Sequence, residues 1–350
     1  MQSFQIGPNE SGQRLDKFLH KYLPQAGAGF LYKMLRKKNI TLNGKRAEGK
    51  ELLQTGDQVA FFFSPETFAA FRGISETAGE YEKAYSALKG IQILYEDAHV
   101  LILNKPAGIL TQKAQKEDLS LNEWLIGYLL QAGKVTETSL ETFRPSVANR
   151  LDRNTSGMVL CGISLGGSQE LAKLLRERTV KKYYRTFVKG KVNGCAHIKG
   201  LLSKDERTNR VTVSPLPAGE SHCTVGRENL PPGKAAETMI ETAYEPLQIF
   251  PDMTYLEVEL ISGKTHQIRA HLASIGHPLL GDPKYGDLNW NKKMQQKYGS
   301  KWQLLHAYRM EFPKLSGPLT GLSQRTVQAP LPGIYTRVLH KNTGTTKKTI

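Results

Sequence analysis

The chain has 350 residues and carries 48 Lys and Arg against 32 Asp and Glu, a formal net charge of +16. That excess calls for an anionic partner, because clustered basic charge is the footprint of nucleic-acid or membrane-surface binding. No apolar stretch approaches the ~18–20 residues of a membrane-spanning helix. Residues 1–10 lack the charged head and apolar core of a secretory signal. Cys161, Cys195 and Cys223 are odd in number and far apart, without metal-ligand spacing, which argues against a zinc site and for a reducing, cytoplasmic setting. The length suits one large domain and one small one.

The small unit is expected at residues 13–63. Leu15, Phe18, Leu19, Tyr22 and Leu23 fall on one helix face. After Pro24 and the Gly27/Gly29 pair, a second helix turns Leu31, Met34 and Leu35 inward and leaves Lys33, Arg36, Lys37 and Lys38 outward. Ile40–Leu42 then reads as a strand entering an Asn43-Gly44 turn before Lys45, a strong hairpin signal. Gly56-Asp57 leads into a further strand at 59–63. The run Arg14-Leu15-Asp16-Lys17-Phe18-Leu19, then Leu35-Arg36-Lys37-Lys38, Leu42-Asn43-Gly44-Lys45 and Thr55-Gly56-Asp57 resembles an S4 RNA-binding domain. The resemblance implies RNA contacts through Lys33, Arg36, Lys37, Lys38 and Lys45.

Residues 64–90 read as a linker with one helical turn or more. The large domain is expected at 91–339. It opens with strands at Ile91–Tyr95 and His99–Leu103 and a turn at Asn104–Gly108. Ser120 and Glu123 form a capping-box pattern for a helix burying Leu121, Trp124, Leu125 and Tyr128. A helix follows at Gly166–Arg178, with strands at Tyr183–Val188 and Tyr255–Ile261. In the latter, Leu256, Val258 and Leu260 alternate with Glu257 and Glu259. Residues 201–234, rich in Gly, Pro and Ser, read as a long hairpin excursion or mobile loop. Residues 340–350 read as a disordered basic tail.

Three segments can supply one site. Asn149-Arg150-Leu151-Asp152-Arg153-Asn154-Thr155-Ser156-Gly157 sets a carboxylate between two arginines, just before an apolar run. Alone, this is equally well an ion-paired loop. Lys182-Tyr183-Tyr184-Arg185 is followed by Gly190. Gly263-Lys264-Thr265-His266-Gln267-Ile268-Arg269 looks like a turn opening a helix, capped by Thr265 or Gly263, with Ile268, Leu272 and Ile275 inward. An arginine near a helix start opposes the dipole, so Arg269 points to a partner anion.

In this order, the segments resemble the RluA-type pseudouridine synthase family. Its catalytic run is His-Arg-Leu-Asp-x-x-Thr-Ser-Gly. Leu103–Gly108 and Gly281-Asp282-Pro283-Lys284-Tyr285-Gly286 match two further family turns. The resemblance implies an α+β fold, with a mixed, largely antiparallel central sheet flanked by helices and loops, plus the small α/β S4 domain. It implies uridine-to-pseudouridine isomerisation without cofactor or metal. Asp152 would act at the sugar–base junction, as carboxylates do in glycosidic chemistry, by adding to base or ribose or by deprotonating the ribose. Arg269 would offset the cost of desolvating that carboxylate, and Tyr184 would stack on the uracil. Arg150 would fill the vacated stack. Asn149, Arg153, Thr155, Lys182, Lys264, His266 and Gln267 complete the expected RNA and base contacts. Asn149 stands where the family has His, so it can hydrogen-bond but cannot titrate. The expected substrate is structured RNA, large-subunit ribosomal RNA before tRNA, bound by a monomer. The reading of another class is a non-catalytic RNA-binding or ribosome-assembly factor.

Overall fold

The computed structural model describes residues 2–72, 78–205, 207–208, 210–214 and 237–343. The N-terminal unit contains β1 (Gln2–Gln5), α1 (Leu15–Tyr22), α2 (Ala28–Arg36), β2 (Ile40–Leu42), β3 (Lys45–Arg46), β4 (Gln58–Phe61) and α3 (Pro65–Arg72). Its sheet runs β1-β4-β2-β3. Asn43 and Gly44 both adopt left-handed backbone, at φ 51° and 74°, which is what a two-residue hairpin turn needs. Phe18, Leu19, Leu31 and Leu35 form the core with Val59 and Phe61. This core also takes in Phe4 and Ile6 on one side of 13–63 and Phe68 and Phe71 on the other. Neither flank signals itself: β1 has one large apolar residue in four, and α3 has only a pair of phenylalanines three apart.

The connector is more helical than one turn, since α3 is followed by α4 (Ala78–Ala87). α4 lies against α5 (Leu121–Gln131), and a Cβ on Gly127 would stand 2.3 Å from the Tyr81 carbonyl oxygen. Ser120 caps α5 by accepting from the Asn122 N–H at 3.2 Å, and its hydroxyl donates to Glu123. The reciprocal bond of the expected capping box is thus made side chain to side chain.

The large domain continues through β5 (Gln92–Glu96), β6 (Val100–Lys105), α6 (Glu137–Leu140), β7 (Ser146–Val147), β8 (Ser156–Gly162), α7 (Leu165–Glu177) and β9 (Lys181–Lys189). It then adds β10 (Ala196–Asp205), β11 (Arg210–Ser214), β12 (Thr238–Ile249), β13 (Met253–Leu260) and α8 (Gln267–Ser274). The chain closes with α9 (Leu288–Tyr298), β14 (Leu305–Glu311), β15 (Thr326–Gln328) and α10 (Gly333–Thr343). One sheet runs β11-β10-β12-β13-β9-β14-β8-β6-β5, with β15 on β14 and β7 on β8. Its pairings are antiparallel except β14 with β8. This is an α+β architecture with a large, mostly antiparallel sheet and flanking helices. Among the described residues no helix is long and apolar enough to cross a membrane.

Both faces of the sheet centre are covered. Leu121, Trp124 and Leu125 of α5 and Ile268 and Leu272 of α8 join Tyr184, Val188, Leu256 and Val258 in one core. Phe187 and Tyr255 pack into a second core with Trp290, Met294, Tyr335 and Val338 of α9 and α10. The alternation in β13 persists, but Glu257 is buried rather than facing water, bracketed by Arg185 at 2.8 Å and Arg309 at 2.6 Å.

Three expectations need correction or limits. α10 carries the chain as helix to Thr343, tied at Asn342 to the Tyr298 hydroxyl at 2.8 Å, so residues 340–343 are no tail; residues 344–350 lie outside the described residues. The 201–234 segment begins as the β10–β11 hairpin, and residues 215–236, with Cys223, lie outside the described residues. At α8 the cap is His266 itself, in left-handed backbone at φ 54° with no side-chain capping bond, and Ile275 is exposed.

Candidate active site

β8 and β14 touch at Gly157 and Ala307, and Ala307 also faces Tyr184 of β9. Gly157 sits at φ 111°, and a Cβ there would lie 2.3 Å from the Ala307 carbonyl oxygen. Only glycine allows this approach. It brings the loop before β8, which carries Asp152, alongside Tyr184.

That loop is fastened from below. The Thr111 hydroxyl donates to the Leu151 carbonyl at 2.7 Å and accepts from the Leu151 N–H at 3.1 Å. The Thr155 N–H closes a turn on the Asp152 carbonyl at 3.0 Å. Lys105 is wholly buried, and its Nζ donates to the carbonyls of Pro106, Ile109 and Arg153 at 3.1, 2.8 and 3.0 Å. Burial pushes the Lys105 amine down to about 7, while the charge of Asp152 pulls it back. Three carbonyls match the three donors of an ammonium.

The third segment brings the counter-charge. Arg269, on the first turn of α8, is 5% exposed. Its Nε and Nη2 donate to the two oxygens of fully buried Asp282 at 2.7 and 3.0 Å, and its Nη1 donates to Asp152 Oδ2 at 2.7 Å. Burial disfavours the guanidinium charge, but Asp282 and then Asp152 more than offset it, so its pKa is raised. Asp282 is likewise disfavoured by burial and still held below the usual carboxylate range by Arg269.

His266 Nε2 lies 3.9 Å from Asp152 Oδ2. Its Nδ1 is 2.9 Å from the Tyr285 hydroxyl, which accepts from the Val211 N–H at 3.0 Å. In the tautomer where that hydroxyl donates to Nδ1, the ring proton is on Nε2, facing Asp152. Burial lowers the pKa of His266; Asp152 opposes this and Arg269 adds to it. Tyr184 is buried, and burial foremost, then the Asp152 charge, raises its phenol above the ordinary value. At neutral pH it keeps its proton and can donate a hydrogen bond.

Asp152, Tyr184 and Arg269 line one cavity of about 1010 Å³, together with Asn149, Arg150, Arg153, Thr155, Lys182, Lys264, His266 and Gln267. The side chains of Asn149 and Gln267 are engaged by their own scaffold. Asn149 Oδ1 accepts from the Leu160 N–H at 2.7 Å. Gln267 binds Ser262, the Lys264 N–H, the Glu241 carbonyl and Thr242. Thr155 is buried, with its hydroxyl 3.4 Å from Gln303 Nε2. Arg150 and Arg153 are exposed at the mouth. Lys33, Arg36, Lys37, Lys38 and Lys45 are exposed on the N-terminal unit, outside this cavity.

Sequence reasoning assigned no role to Lys105, Thr111, Asp282, Tyr285, Arg176 or Arg178. A buried arginine has more donors than one carboxylate satisfies, and Asp282 in the Gly281–Gly286 turn was the available second partner. The lysine gave no signal, because its partners are main-chain carbonyls.

A family profile described as RNA pseudouridylate synthase matches residues 99–274. An RNA pseudouridine synthase of Mycoplasma genitalium, named as uncharacterized, is 31% identical over 313 residues, 88% of each chain. Proteins named ribosomal large subunit pseudouridine synthase C are 30% identical in Vibrio vulnificus, covering 89% of this chain and 88% of that one, and 29% identical in Escherichia coli strain K12, covering 96% and 95%. The solved structure of human RNA pseudouridylate synthase domain containing 4 superposes with a TM-score of 0.55 at 20% identity, over 76% of this chain and 96% of that chain, a likeness of fold.

Proposed function

We propose that this chain, which belongs to the RNA pseudouridylate synthase family and is an RNA pseudouridine synthase, modifies uridines of large-subunit ribosomal RNA with Asp152 as its catalytic group. The ribosomal substrate rests on relatives that carry that name and align over nearly their whole length. The catalytic assignment rests on one observation. Among the described residues, Asp152 is the sole carboxylate lining a cavity with eight lysines and arginines, and Arg269 fixes one of its oxygens at 2.7 Å.

The reaction opens the uridine N1–C1′ bond, turns the base and closes C5–C1′. C5 loses a proton and N1 gains one, so the product is an isomer and no group or electron enters. Arg269 engages Oδ2, which leaves Asp152 Oδ1 to address the sugar–base junction. Tyr184 supplies a ring face for the uracil and a proton-bearing hydroxyl beside the carboxylate. Arg150, exposed and two residues away, would occupy the gap left by the extracted base, offsetting an unstacking cost of roughly a few kcal/mol. The N-terminal unit, read as an S4-type domain, adds an outlying RNA contact through α2 and Lys45.

Pseudouridine mapping of RNA from cells lacking the protein tests this reading. Large-subunit sites should lose pseudouridine, regain it with the wild-type chain and stay unmodified with Asp152→Asn, while the variant binds RNA normally. Restoration by the Asn variant would remove Asp152 from the mechanism. Loss of pseudouridine from tRNA alone would reassign the substrate.

A further inference from the structure

The chemistry of the reaction does not use every group in the cavity wall. The C-terminus of α7 and the start of β9 add Arg176, Arg178 and Lys182 to it. Among the described residues none of these three side chains has a hydrogen-bond or carboxylate partner. Lys182 is 8% exposed, and burial first, then the charge of Arg178, lowers its pKa. Arg176 and Arg178 are exposed, so the cost falls on Lys182, a buried ammonium with no acid beside it, which favours an anion arriving from outside.

A structural explanation for the arginines is the helix dipole, which favours cations at a C-terminus. It accounts for Arg176 but poorly for Arg178. Arg178 is the left-handed residue that ends α7, at φ 57° and ψ 31°. That position usually falls to glycine. An arginine there accepts backbone strain and keeps a guanidinium in the cavity.

Position along β9 gives the site its ligand. Lys182 and Tyr184 are two residues apart, so both project from one face of the strand, about 6.6 Å apart at the ordinary rise per residue. A nucleotide whose base meets Tyr184 therefore carries its neighbouring phosphate toward Lys182 and the α7 arginines. The cavity, about 1010 Å³, is at the upper limit of pockets that hold single small molecules, which leaves room for more than the target nucleoside.

We propose that Arg176, Arg178 and Lys182 form a binding site for the backbone phosphate adjoining the target uridine, and so set the direction in which the RNA strand threads the cleft. The proposal rests on the RNA-modifying reading above and adds a subsite to it.

The test uses stem–loops cut from the large-subunit RNA site identified by mapping. Each carries a neutral methylphosphonate at the linkage on one side of the target uridine or the other. Wild-type protein should lose about tenfold in affinity for one of the two neutral RNAs and little for the other, the scale of a charge-assisted hydrogen bond. The Arg176→Ala/Arg178→Gly variant, whose glycine suits the helix end, should bind the unmodified RNA about tenfold more weakly and be indifferent to that linkage. Additive losses, with the variant as sensitive to the linkage as wild type, would overturn the site while leaving the enzyme reading intact. Absence of product from the wild-type protein on the unmodified RNA would instead overturn the reading and the subsite together.

Discussion

Arg269 and Asp282 form a two-bond ion pair in which both groups are buried, Nε to Oδ2 at 2.7 Å and Nη2 to Oδ1 at 3.0 Å. This pair fixes the guanidinium plane and leaves Nη1 for Asp152. A lysine supplies one point charge and cannot span both carboxylates. Arg269→Lys should lower kcat/KM by about 10²-fold or more, the scale of a misplaced electrostatic group. Asp282→Asn should produce a smaller loss of the same kind. Near-wild-type turnover of Arg269→Lys in a single-turnover assay would show that Asp152 does not depend on this fork.

The N-terminal unit contributes charge away from the chemistry. Replacing Lys33, Arg36 and Lys37 with Ala should weaken RNA binding and make the salt dependence of affinity shallower by about 2 to 3 in log–log slope. Turnover at saturating short stem–loop should stay within about twofold, since a remote interaction made equally in the ground and transition states changes KM alone when it is removed. An unchanged salt slope would remove α2 from the RNA interface.

Gly157 is where β8, β14 and the Asp152 loop meet. Gly157→Ala should cost about 2–4 kcal/mol in chemical denaturation, because a strained φ and a clash with main chain add together. Wild-type stability would mean that β8 and β14 can separate at this point at little cost.

Two buried histidines link stability to acid. His306 lies between the Ser156 hydroxyl at 2.8 Å and the Ala329 carbonyl at 3.4 Å, and burial pushes it from 6.5 down to about 4. His271 is pushed down to about 4 by the same cause. Between these values the unfolded chain binds protons that the fold excludes, so stability rises with pH across this window and falls as pH drops from 6.5 toward 4. The loss by pH 5 should reach roughly 2–4 kcal/mol for the pair. Urea unfolding at pH 7, 6 and 5 measures it, and His306→Asn should flatten the slope. An equally steep slope in that variant would rule out His306 as a contributor.

Periodic signals were legible in several of the longer elements, though β12, α9 and α10, of 12, 11 and 11 residues, were not read from the chain. α1, α5 and α7 and the strands β6, β8 and β13 all show their pattern in the chain. β1 and α3 did not, being too short to show a period, yet they complete the N-terminal core. Spacing within segments placed Asp152, Tyr184 and Arg269 on named local elements, but their convergence depends on β8, β9 and β14 lying side by side, which no local pattern encodes. Lys105 was the least legible, because it reaches the Arg153 carbonyl across 48 residues of sequence and carbonyls are identical at every residue.

His266 and Arg178 are both L-residues in left-handed backbone, and both line the cavity. Each holds a conformation that glycine would adopt with less strain, by roughly 1 kcal/mol. Lys38, Asn43 and Gln324 share this conformation outside the cavity, but at His266 and Arg178 the strain is carried by the reacting chamber itself. Heat tolerance selected without regard to turnover would reach these two positions early, and a thermally hardened descendant carrying glycine at both would be a sturdier protein with an emptied pocket.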